Sequence, residues 1–117
     1  VKPEINQLLP LTPAVFQILL ALSDGPKHGY LIMKEVESST DNMIPMGPGT
    51  LYGSIKRMIE AGLIIETTSP PTEKDQRRRY YKLNHFGRMV LEAELNRLQK
   101  QLLIAQKKNI LGSFNRG

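Results

Sequence analysis

A change of hydrophobic period beside Gly62 most limits what this chain can fold into. Leu51, Ile55, Met58, Ile59 and Leu63 recur at i, i+4, i+7, i+8 and i+12, which is one face of a helix. From Leu63 onward LIIETTS is β-branched and strand-like. PPTEKDQ then reads as a loop and RRRYYKL as a second strand, with Arg79, Tyr81 and Leu83 alternating with Arg78, Tyr80 and Lys82. The loop is too long for a two-residue turn, so the hairpin is expected to project as a mobile finger.

The flanking segments supply cover for this helix–hairpin unit. LTPAVFQILLALSDGP has Thr12 as N-cap and Pro13 at the first helical position, and is apolar until Ser23-Asp24-Gly25-Pro26. It reads as a helix buried on most sides. KHGYLIMKEVESS reads as a half-exposed second helix with Tyr30, Leu31, Met33 and Val36 inward, and Gly29 near its start permits close helix approach. SSTDNMIPMG connects to the third helix, which Gly47 and Pro48 begin. Downstream, Asn84 caps a long helix reaching at least Ala105, whose Leu91, Leu95, Leu98, Leu102 and Ala105 advance by 4, 3, 4 and 3 residues. That heptad stripe is expected to pair with a second copy of the chain. The tail beyond Gly112 is expected to fray.

At 117 residues the chain fits one domain with its own core. It has no cysteine, which excludes a disulfide scaffold, thiolate chemistry and a Cys-based zinc site. His28 and His85 lack partners at metal or catalytic-triad spacing, so neither a metal, a cofactor nor an enzymatic activity is expected. His28 reads instead as shaping the second helix and His85 the start of the last one. No apolar run approaches the roughly 20 residues needed to span a bilayer. VKPEINQLLP lacks the form of a signal peptide. The expectation is a cytoplasmic protein without membrane contact, and its start at Val1 reads as processed or trimmed. Net charge is +5, unevenly spread: −2 over residues 1–46, +3 over 47–83 and +4 over 84–117. A polyanionic partner follows from that asymmetry.

Three helices, strand, loop, strand and a long helix make a mainly α (α+β) chain with the layout of a winged helix-turn-helix. Residues 1–83 form the expected DNA-binding unit, with a two-stranded wing, and residues 84–117 the dimerisation helix and tail. In such a fold the third helix enters the major groove of double-stranded DNA and the hairpin meets the backbone or the adjacent minor groove. A 100° step from Leu51 puts Gly53, Lys56, Arg57 and Glu60 on the outward face, beside Thr50. Lys56 and Arg57 can contact DNA, or Lys56 can pair with Glu60 along the helix. Tyr52 can bond a phosphate or pack at the core edge. Thr50 and Ser54 are small polar groups suited to phosphate, although Thr50 can equally serve the helix start. In the wing, Lys74, Arg77 and Arg78 are the leading phosphate contacts, with Arg79 undecided because it shares the face of Tyr81. The methionines read as core filler.

The motifs HGY (28–30), GTLYGSIKRMIEAGLI (49–64) and RRRYYKLNHFGR (77–88) together resemble the PadR-type transcriptional regulators. The resemblance runs from about Leu11 into the last helix and implies a homodimeric winged-helix repressor. Such a protein binds a palindromic operator and is commonly released by a small molecule, here one lodged at the dimer interface. Three departures from the family pattern are Gly53, where proline usually follows GTLY, Asn84, where threonine commonly caps the last helix, and the wing, which lacks the glycine often found before its basic strand. Glycine weakens a helix interior by about 1 kcal/mol relative to alanine, so the start of the third helix is expected to be adjustable. A protein-interaction module and a nonspecific architectural DNA binder are the contrasting functions.

Overall fold

The chain before the first predicted helix makes a short helix of its own, α1 (Ile5–Leu8), which leans on the last helix. The computed structural model describes residues 4–75 and 77–111, so the frayed tail expected from Gly112 onward lies outside the described residues. Helix α2 (Pro13–Ala21) begins as its sequence dictates, with Thr12 Oγ1 accepting from Val15 N–H at 3.3 Å and Pro13 in the first turn.

Lys27 and His28 do not open the second helix. They form a two-residue strand, β1 (Lys27–His28), and α3 starts after it (Gly29–Ser39). The inner face of α3 is consequently Gly29, Ile32 and Val36, while Tyr30 and Leu31 are exposed. At 100° per residue Tyr30 lies about 160° from Ile32, so the inward assignment of Tyr30 and Leu31 is corrected by the burial of Ile32. Gly29 does permit close approach: a Cβ there would stand 2.3 Å from the Tyr52 hydroxyl of the next helix.

Helix α4 (Pro48–Glu60) is capped by Gly47 and presents Leu51, Ile55 and Met58 to the core. It stops at Gly62, which takes φ +77, while Leu63 N–H donates to Met58 O at 2.9 Å. This closure frees the chain to turn into β2 (Ile64–Thr67). β3 (Tyr80–Leu83) returns antiparallel, with Ile64 opposite Leu83 and Thr67 opposite Tyr80. The sheet has three strands in the order β1-β3-β2, because β1 pairs with the other edge of β3, Lys27 opposite Tyr81 and His28 opposite Tyr80. Being central, β3 buries both Tyr80 and Tyr81.

Asn84 caps α5 (His85–Lys107) by accepting from Gly87 N–H at 2.8 Å. The first half of α5 completes the core with Val90 and Leu91. Glu94 is only 2% exposed, and its carboxylate accepts from Leu11 N–H at 2.8 Å and from Arg97 Nε at 2.5 Å. The Arg97 hydrogen bond holds that carboxyl below its usual pKa despite burial. Glu94 thus ties the segment before α2 to α5. Beyond it the helix leaves the core, and the molecule reaches 51 Å along its longest axis. Among the described residues no helix is long and apolar enough to cross a membrane.

Candidate nucleic-acid interface

The outward side of α4 carries Thr50, Lys56 and Arg57 exposed, with Gly53 half-buried and Tyr52 48% exposed. Ser54 does not belong with them. It is 1% exposed, and its Oγ accepts from Arg57 Nη2 at 3.4 Å, because 100° steps bring it to the flank of Leu51 and Ile55. Lys56 faces the wing and shares a cleft with Tyr52, Glu66, Arg79 and Tyr81. Arg57 lies on the opposite flank, beside Leu8, Leu11 and Val15. The two cations that look equivalent in sequence therefore serve different edges of the helix.

Gly53 has open space around it: an added Cβ would meet only Arg57 Nη1, at 3.5 Å. Gly53→Ala should therefore stabilise the protein by about 1 kcal/mol, the intrinsic helix gain. Thermal denaturation checks this, and a lowered melting temperature would show that the backbone at Gly53 is under a constraint that alanine cannot meet.

The hairpin loop is braced at its base. Ser69 Oγ donates to Arg78 O at 2.8 Å, Tyr80 Oη donates to Glu73 at 2.5 Å, and Asp75 Oδ1 accepts from Arg77 N–H at 3.0 Å and Arg77 Nε at 3.2 Å. These bonds hold both carboxyls below the usual carboxylate range, chiefly Tyr80 for Glu73 and the Arg77 amide for Asp75. Lys74 and Arg77 are exposed. Arg78 is partly committed inward, with Nη1 2.8 Å from His28 Nε2 and 3.8 Å from Glu73 Oε2. Arg79 reaches Glu66 at 3.7 Å and otherwise opens toward α4.

His28, read in sequence only as shaping the second helix, is the joint between that helix and the wing. Its Nδ1 accepts from Leu31 N–H at 3.2 Å, capping α3, while its Nε2 meets Arg78. An imidazolium cannot accept the Leu31 amide and would face the Arg78 cation. Burial, then Arg78, accordingly push the His28 pKa below its ordinary value. The strand alternation of RRRYYKL carried a usable signal for the rest: Arg79 and Tyr81 share a face, and that face is turned to α4.

The heptad stripe divides on the structure. Leu91 is 3% exposed and belongs to the core of its own chain. The open part begins at Leu95 and Leu98, 40% and 39% exposed, and continues through half-buried Leu102 and Ala105.

A sequence model described as the transcriptional regulator PadR-like family matches residues 18–93. An uncharacterised 37.1 kDa protein in a transposon of Streptomyces fradiae is 36% identical over 83 residues, 71% of this chain and 22% of that protein, so the chain spans under a quarter of that relative. Among solved structures, a PadR family transcription regulator from Clostridium difficile is similar at TM-score 0.61 and 27% identity, over 88% of this chain and 98% of that one. Bacillus subtilis PadR in complex with operator DNA superposes at TM-score 0.59 and 22% identity, over 69% of this chain and 45% of that one. A transcriptional regulator from Clostridium thermocellum gives TM-score 0.65 and 24% identity, over 80% and 87%.

Proposed function

Because the chain belongs to the PadR-like family of transcriptional regulators, we propose that it is a cytoplasmic homodimeric repressor that reads a palindromic operator with α4 and grips the flanking backbone with its wing. The observation that carries this reading is the shared cleft in which Tyr52 and Lys56 of α4 meet Arg79 of the wing. One duplex lying across that edge can meet helix and hairpin together. Residues 1–83 do the reading and residues 84–117 the pairing. Thr50, Tyr52, Gly53, Lys56 and Arg57 face the groove; Lys74, Arg77 and Arg79 face phosphates. Two copies joined through Leu95, Leu98, Leu102 and Ala105 present their α4 helices to major grooves about 34 Å apart. A small molecule between the halves shifts DNA binding to the extent that it prefers one arrangement of the dimer.

Selection of bound duplexes from a random pool tests the whole reading and should recover a palindrome. Recovery of no preferred sequence, with binding still steeply salt-dependent, would leave a nonspecific binder. Binding to protein partners without salt dependence would leave an interaction module. Within the wing, Arg77→Ala should weaken operator and random duplex alike and reduce the slope of log affinity against log salt by about 1. An unchanged slope would remove Arg77 from the interface.

A further inference from the structure

One cleft opens between the start of α3, Tyr52 of α4 and strand β3, with a volume of about 520 Å³. Its lining is His28, Gly29, the tyrosines Tyr30, Tyr52 and Tyr81, and the arginines Arg78 and Arg79. No carboxylate lines it among the described residues. Two guanidinium groups and several phenols around one hollow favour an anion with many acceptor atoms.

Tyr81 is the second and independent observation. It is only 4% exposed, yet among the described residues its hydroxyl has no hydrogen-bond partner, although the ring lines this cleft and the adjoining one under Lys56. A buried phenol normally finds a partner. No polar side-chain atom of the described residues is sealed from solvent without a partner, so the little surface that Tyr81 keeps includes its hydroxyl. Burial first, then Glu66 and Tyr52, push its pKa above the ordinary value and keep it protonated as a donor. The Tyr52 hydroxyl sits at the same hollow, over Gly29, where only a glycine leaves room for it.

We propose that this cleft is a seat for a single phosphate ester, whose oxygens accept from the Tyr81 and Tyr52 hydroxyls and from the Arg79 guanidinium. A phosphate offers enough acceptor atoms for three donors on two elements, and the hollow leaves space for the sugar or aryl group attached to it. The ester is either a backbone phosphate of a bound duplex or a free phosphate ester. The first source rests on the function proposed above; the second does not.

The test uses the full chain with carbon-13-labelled tyrosine rings, titrated with phenyl phosphate and, separately, with the duplex selected from the random pool. The Tyr81 and Tyr52 ring signals should move, and Tyr81→Phe should lose about tenfold in affinity, the effect of one hydrogen bond to a charged group. Its melting temperature should stay level or rise, since the missing hydroxyl has no partner within the described fold. Gly29→Ala, which displaces the Tyr52 hydroxyl, should weaken binding in the same direction. Loss on both ligands, with phenyl phosphate displacing the duplex, identifies the backbone phosphate; loss on phenyl phosphate alone identifies a free ester. If the wild-type chain binds no duplex, the regulator function falls while the phenyl phosphate titration still decides the seat. Ring signals that stay still with both ligands, or a Tyr81→Phe chain binding both within twofold of wild type, would overturn the proposal.

Discussion

Gly87→Ala should destabilise the protein by about 3 kcal/mol or more, a large share of a typical domain's stability. An alanine Cβ at this position would stand 1.9 Å from the carbonyl oxygen of Leu63 and 2.9 Å from its carbon. Those are backbone atoms, and they are held in place. Leu63 O accepts from Asn84 N–H at 3.3 Å, and the Asn84 side chain donates to Gly62 O at 2.6 Å. Neither α5 nor the α4–β2 turn can therefore give way without losing the cap that starts α5. Chemical denaturation gives the magnitude, and a loss below about 1 kcal/mol would mean that α5 docks on the turn differently. The comparison with Gly53→Ala is informative because the chemical change is identical. Both glycines are helical, yet one faces open space and the other a carbonyl, so the signs are opposite.

On the proposed pairing through α5, Leu98→Asp should leave the chain monomeric and lower its affinity for the proposed operator by about a hundredfold or more, since two linked half-site contacts become independent ones. Leu98 is 39% exposed on the single chain, and a charge there costs the protomer fold little. Placed in a helix seam, the same charge must be buried unpaired. Sedimentation velocity gives the oligomeric state, and a Leu98→Asp chain that still sediments as a dimer would move the pairing surface elsewhere. Leu91→Asp is the contrast from the same stripe: with Leu91 in the core, this change should unfold the protomer itself.

The terms that govern individual helices are legible in the sequence. Thr12, Gly47 and Asn84 act as N-caps where expected, and Gly62 ends α4 where the hydrophobic period changes. These signals are local, because a cap and its amide lie within one turn. The candidate interface is legible in outline for the same reason, since a helical period alone turns Lys56 and Arg57 outward. Local period fails at Ser54 and at the inner face of α3, where position relative to distant elements decides. The pairing of β1 with the edge of β3 joins residues some fifty positions apart, and no local propensity in Lys27-His28 announces it.

The sequence by itself thus determined the order of the main helices and the two hairpin strands, the N-caps at Thr12, Gly47 and Asn84, and the part of the chain on which positive charge collects, because each depends on neighbours within a turn or on a running sum of charges. Only the tertiary structure decided that Arg78 is braced by His28 and Glu73, that Leu91 is spent on the core, and that Tyr81 is buried beside a cleft with its hydroxyl unpartnered among the described residues. Those outcomes depend on how α3, α4, α5 and β3 meet in space, and side chains compete there for burial and partners that no single segment contains.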